Sequence, residues 1–324
     1  MKKTSVWFTR LYICMMIVCI AALVGIIAYG VGGHLVTSAF VAPTPTAKPR
    51  PTPTPPQLSK TAYYPYDGFT EHTFKGAQGS LPYYLYIPQG YNPHRKYPLV
   101  LVLDGSGERS KPNYTNAQNE YVILTNSYVN VWSGGYQGKE NPHIQQRWPS
   151  FVVVPQLTIS QKWVNIPTFH TGSYKQPAQP AAPLLLAKEL VSSLQRQFAG
   201  IDANRLYVTG ISMGAFGVWD AIERWPTYFA AAVPVSGAGD PTKAAVLKNM
   251  PIWDFHGSKD PTVPVSGSRG MITAIKAAGG HPRYTEFAGA PHQIWPFVYS
   301  YTLPGVKMQW HVTGLYTWLF AQHK

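Results

Sequence analysis

The chain has 324 residues, of which 45% are hydrophobic, and a formal net charge of +13. Its two cysteines, Cys14 and Cys19, both sit in an N-terminal apolar stretch, which excludes a disulfide, a thiolate nucleophile or a cysteine-based metal site in the remainder. Six basic residues and no acid fall within residues 1–60, leaving about +7 for the rest with no Lys/Arg run interleaved with aromatics, so nucleic-acid binding is not expected.

Taken in chain order, residues 1–10 form a basic head with Lys2, Lys3 and Arg10. Residues 11–33 open with an uncharged run from Leu11 to Val31. About 20 apolar residues span a bilayer as a helix, so this segment reads as a transmembrane signal-anchor. The positive-inside rule keeps the basic head in the cytoplasm and exports the body, which partners the membrane through that helix. Small residues at Thr37–Ala39 also allow cleavage, which would make the body a secreted protein. Residues 34–60 are a Pro/Thr-rich linker; the run PTPTAKPRPTPTPP (43–56) favours extended polyproline II.

The body, residues 61–324, alternates strand and helix signals. Apolar β-rich runs occur at 83–87, 99–103, 151–154, 205–209, 231–235, 251–255 and 283–287. Helical patterns occur at 184–198, 215–225, 266–278 and 314–322. Continuous apolar strands alternating with amphipathic helices predict an α/β fold, a mostly parallel sheet covered on both faces. Residues 107–150 and 157–182 are long and polar, the usual character of lids or binding loops.

The chemistry centres on Gly210-Ile211-Ser212-Met213-Gly214. A β-rich run leads into it and a helix-forming run follows, which is the context in which G-x-S-x-G marks a nucleophile elbow. A serine hydroxyl needs a base, and in this fold the acid and then the histidine follow the serine. Asp260 stands just beyond the strand that ends near Phe255; its rivals are Asp254, Asp240 and Asp220, of which Asp240 is the serious competitor. His292 lies in a turn after the run 283–287, ahead of His281, His311 and His323. The oxyanion donors are expected to be the amide of Met213 and one from the glycine-rich loop after 99–103, Ser106 first and Gly105 second. Trp295, three residues past His292, is a candidate pocket wall. Trp132, Trp148 and Trp163 read mainly as core.

Together GSGER (105–109), VVPQ (153–156), IDANRLYVTGISMGAFGVWD (201–220), FAAAVPVSGAGD (229–240), FHGSKDPTVPV (255–265), RYTEF (283–287), PHQIW (291–295) and LYTWLF (315–320) carry a resemblance. They resemble bacterial predicted peptidases and esterases related to the phospholipase/carboxylesterase and polyhydroxybutyrate-depolymerase-like α/β-hydrolases. The resemblance implies an α/β-hydrolase fold with its triad on Ser212, Asp260 and His292. It implies hydrolysis of an ester, small or polymeric, with no cofactor and no metal. The family usually carries His-Gly where this chain has Asp104-Gly105; a carboxylate facing an oxyanion there would be unfavourable. A serine peptidase of the same fold and a non-catalytic envelope binding protein are the alternative functions. Nothing in the sequence fixes the oligomeric state.

Overall fold

The computed structural model describes residues 68–134, 143–299, 310 and 312–324. The basic head, the apolar run and the Pro-rich linker lie outside the described residues, as does His311. Among the described residues no helix is long and apolar enough to cross a membrane.

The described body is built on one eight-stranded sheet. Its strands are β1 (Phe69–Gly76), β2 (Gly79–Tyr86), β3 (Tyr97–Leu103), β4 (Phe151–Pro155), β5 (Ile201–Ile211), β6 (Ala231–Val235), β7 (Trp253–Gly257) and β8 (Arg283–Phe287). Their order is β1-β2-β4-β3-β5-β6-β7-β8. β1 and β2 pair antiparallel, as do β2 and β4; all other pairs are parallel. Every residue of β3, β4 and β6 is buried, which is why these strands read as unbroken apolar runs rather than alternations. All seven expected runs fall on strands, with the run at 251–255 displaced by two residues. β1 was not expected. Its sequence, FTEHTFKG, is mostly exposed on the sheet edge and offers few apolar side chains to reveal it.

The longer helices are α1 (Asn116–Leu124), α2 (Ala182–Gln197), α3 (Met213–Arg224), α4 (Ser266–Ala277) and α5 (Leu315–Phe320). Successive β3 residues feed two cores. Leu99, Leu101 and Leu103 pack with the apolar stripes of α2, α3 and α4. Val100 and Val102 pack on the other face with Ile123, Leu124, Tyr128, Trp132 and α5.

Residues 116–134 are therefore core rather than lid. β3 and β4 are parallel neighbours, so the chain between them has to cross a sheet face. It does so through α1, capped reciprocally by Thr115 and Gln118, and through short helical turns at Ser127–Asn130 and Val131–Ser133. Trp132 is fully buried against the rings of Tyr299, Tyr316 and Phe320.

The sheet has one thin seam. β5 and β6 share five paired positions, as do β7 and β8. β6 and β7 pair only at Val235↔Phe255, with an isolated bridge at Ala232↔Ile252.

Candidate active site

β5 ends at Ile211 and α3 begins at Met213, so the whole change of direction falls on Ser212. Its backbone sits at φ 51°, ψ −120°, a conformation that costs an L-residue roughly 1–3 kcal/mol and persists only when the surroundings enforce it. The surroundings are the end of β3. A side-chain carbon at Gly210 would stand 2.8 Å from the Gly214 carbonyl, and one at Gly214 would collide with the Leu103 and Asp104 carbonyls. The Ser212 amide donates to Val235 O at 2.9 Å.

His292 Nε2 is 2.9 Å from Ser212 Oγ, and His292 Nδ1 is 2.6 Å from Asp260 Oδ2. The three side chains singled out in the sequence are thus brought together. Asp260 Oδ1 accepts the amides of Thr262 (2.8 Å) and Val263 (2.9 Å). Burial alone would raise the Asp260 carboxyl. Hydrogen bonds from His256, His292 and Val263 outweigh it and hold the carboxyl well below the usual carboxylate range.

Two further residues support this arrangement: His256, whose place just before Asp260 reads in the sequence as a support for that loop, and Ser236, which was not expected. His256 is fully buried, with Nε2 3.0 Å from Val263 O and 3.2 Å from Asp260 Oδ2. A carbonyl can only accept, so Nε2 carries the proton and Nδ1 accepts from Ser268 Oγ at 2.7 Å. Ser236 closes β6 at φ 56° and donates from Oγ to His292 O at 3.0 Å, pinning the histidine's backbone. A serine-glycine pair at a strand's end was the available signal.

The rival acids are engaged elsewhere. Asp240 caps the turn Pro241–Leu247, accepting from Thr242 and from the Gln176 amide. Asp220 pairs with Arg224 at 2.7 Å. His281 and His323 are exposed.

The cleft over Ser212 has a volume of about 460 Å³. Trp295, 8% exposed, lines it and meets the His292 ring edge-on at 5.7 Å. One wall comes from the expected binding segment 157–182. There Phe169 packs edge-on against Phe216, and His170 Nδ1 lies 2.9 Å from Thr262 O, tying this wall to the Asp260 loop. Trp163 and Trp132 are core, and Trp148 stacks on Phe320.

The loop 105–108 forms the facing wall. Asp104 does not face it. Its buried carboxylate accepts from the Leu157 amide (3.0 Å) and Trp163 Nε1 (2.8 Å). Burial raises its pKa well above the ordinary value despite those bonds. Gly105 is buried and its amide faces the Glu108 carboxyl, whereas Ser106 is exposed to the cleft. Met213 opens α3, where amides lack intrahelical partners. Among the described residues no cluster of His, Cys, Asp or Glu could hold a metal.

This architecture has counterparts among solved proteins. A thermostable esterase superposes with a TM-score of 0.65 at 34% identity, over 80% of this chain and 64% of that one. The chain has the α/β-hydrolase fold. A feruloyl esterase module from Clostridium thermocellum, solved with sinapinate, shares this fold, with a TM-score of 0.50 at 17% identity over 70% of this chain and 83% of that one. By sequence, it is 25% identical over 175 residues to endo-1,4-beta-xylanase Y of Acetivibrio thermocellus, 52% of this chain and 14% of that protein. It is 23% identical over 206 residues to a bifunctional acetylxylan esterase/xylanase of Neocallimastix patriciarum, 63% of this chain and 25% of that one. The chain therefore spans a quarter or less of these two proteins' lengths. No protein-family model matches it.

Proposed function

We propose that this α/β-hydrolase is a serine carboxylesterase. The observation that carries the reading is the continuous chain Ser212 Oγ, His292 Nε2, His292 Nδ1, Asp260 Oδ2, with separations of 2.9 and 2.6 Å, at the base of an open cleft. His292 takes the Ser212 proton as Oγ attacks the ester carbonyl. Asp260 holds the imidazole in the tautomer whose Nε2 is free to accept, and stabilises the imidazolium that forms. The amides of Met213 and Ser106 receive the oxyanion. The protonated His292 then gives its proton to the departing alkoxide. Water, deprotonated by the same histidine, releases the acid from Ser212.

Trp295 and Phe169 give the cleft aromatic walls that suit an acyl or alcohol group. Acetylated xylan belongs in a substrate panel because a relative bears an acetylxylan esterase name, and short p-nitrophenyl esters belong beside it. The body is proposed to act outside the cytoplasm, anchored by the apolar run 11–31 or released by its cleavage. Protease added to intact cells should then free an active body; finding the chain in the cytoplasm overturns that placement.

The decisive experiment is covalent. A serine-directed organophosphonate should label the peptide containing Ser212 and abolish p-nitrophenyl ester hydrolysis. Ser212→Ala should fold and remain unlabelled, with only the background of roughly 10³–10⁴ over water that binding and oxyanion donors provide. Labelling at another serine, or near-native turnover by Ser212→Ala, removes this mechanism. A folded native chain inert to both ester and inhibitor points to a binding protein instead.

A further inference from the structure

Glu108 is a second carboxyl in the cleft, and the triad leaves it without a role. It is 9% exposed, and it lines the cleft beside Gly105, Ser106 and Gly107. Its oxygens are built into the loop that precedes them. Asn126 Nδ2 donates to Oε1 at 3.0 Å. Oε2 lies 2.6 Å from where a Gly105 side-chain carbon would be, so the carboxyl occupies the space that keeps position 105 a glycine. The Glu108 carbonyl is clamped in turn by Gln156 Nε2 at 2.8 Å. The adjacent guanidinium does not pair with it. Arg109 turns away to the carbonyls of Ser106, Ile159 and Gln161.

We propose that Glu108 is a positioning residue for the hydrolysis assigned to Ser212: its carboxyl props the Gly105–Gly107 loop with the Ser106 amide toward the oxyanion, and turnover requires that carboxyl to be neutral. The inference rests on the serine-hydrolase reading. The physical reason is the sign of the developing charge. A tetrahedral oxyanion held by the Ser106 amide would form one residue from the Gly105 amide that the Glu108 carboxyl accepts, and that carboxyl is itself buried, so a second negative charge on it is poorly screened. The charged and titratable groups around Glu108 do little to offset it. Asp104, just past β3, has its own carboxyl raised by burial and supplies no compensating positive charge, and Lys111 attracts only weakly. Tyr128 contributes a buried hydroxyl with no hydrogen-bond partner. Burial pushes Glu108 up to about 7, against the pull of its own amide, the Gly105 amide and Asn126. The acid is therefore neutral on the acid side of that value and ionised on the alkaline side.

The test is the pH profile of kcat and KM for p-nitrophenyl acetate, between about pH 5 and pH 9, on the full chain. Native kcat should fall on the alkaline side with a midpoint near 7. Glu108→Gln, which keeps the shape and abolishes ionisation, should lose that fall while KM stays the same, and should exceed native turnover about tenfold at the alkaline end. Glu108→Ala should lose about 10²-fold in kcat at every pH, because the loop loses its prop. Asn126→Ala removes a donor to the charged form and should move the alkaline fall to higher pH; it carries the test with Glu108→Gln if the alanine variant does not fold. An unchanged alkaline fall in Glu108→Gln, or native kcat in Glu108→Ala, overturns the proposal. Organophosphonate titration separates the two levels. A native chain that does not label at Ser212 defeats the parent reading. A chain that labels fully while Glu108→Gln keeps the native profile defeats only this one.

Discussion

Asp260 takes hydrogen bonds from two backbone amides on one oxygen and from two imidazoles on the other. The amides fix the carboxylate plane, and the plane fixes which nitrogen of His292 is left to face Ser212. Asp260→Asn keeps the shape but presents an amide group where His292 Nδ1–H must be accepted. It should fold normally and lose about 10⁴ in kcat, read by ester assay beside circular dichroism. If Asp240→Asn is the crippling change instead, the acid has been misassigned. A second residue makes an opposite prediction. Asp254 is fully buried in β7, and neither of its oxygens has a hydrogen-bond partner, because the nearby Ser268 hydroxyl is committed to His256. Burial raises its carboxyl to about 6. A carboxyl raised in the folded state favours folding when protonated, so its contribution is lost as pH climbs through that value. Asp254→Asn should therefore raise the melting temperature above about pH 6, by the equivalent of about 3 kcal/mol or less, and change little at pH 4. A stability gain equal at both pH values refutes this. At this scale the three side chains that the structure brings together were marked by local patterns: Ser212 by its elbow, Asp260 and His292 by their places after strand ends. His256 was readable as a support for the Asp260 loop it precedes, whereas Ser236 acts through the His292 carbonyl far along the chain, which no local pattern encodes.

Among the elements, the elbow and the β3–β4 crossover differ in what made them readable. The elbow combines a strand, two glycines and a helix within some twenty residues, and its geometry follows from the collision each glycine avoids. The crossover spreads its few apolar side chains through a segment whose average is polar. Only folding shows that Ile123, Leu124, Tyr128 and Trp132 share one buried face. Trp132 anchors that face with its ring and with a hydrogen bond from Nε1 to Tyr128 O at 2.8 Å. Trp132→Ala should cost about 3–5 kcal/mol in denaturant unfolding, with little change in the KM of the fraction that stays folded. A lid would give the reverse, a changed KM at native stability. β1 escaped notice for a related reason: an exposed edge strand needs so little apolar surface that its sequence looks like a loop.

At the scale of the whole molecule, the alternation of strands and helices made the parallel sheet legible, whereas the order of its strands follows from how the crossovers pack. That order places the proposed catalytic residues on both sides of the thin β6–β7 seam. Ser212 follows β5; Asp260 follows β7 and His292 follows β8. Across the seam run few backbone bonds, among them Ala232 N to Pro251 O at 3.0 Å and Ser236 N to Phe255 O at 2.9 Å. Sub-global opening should start where cooperative pairing is sparsest. Ser212 would then part from His292, its proposed base, while both sheet halves still hold their cores. Enzymatic inactivation should thus precede the loss of tryptophan fluorescence along a denaturant series. The amides of Ala232 and Ser236 should exchange with deuterium earlier than that of Ala230, which donates to Leu206 O at 2.7 Å on the β5 side. Coincident transitions, or equal protection on the two sides, would mean that the seam opens only with the whole domain. In a molecule divided this way, the distance between Ser212 and His292 is its most sensitive gauge of integrity, and catalytic rate reads that gauge before any bulk probe of structure does.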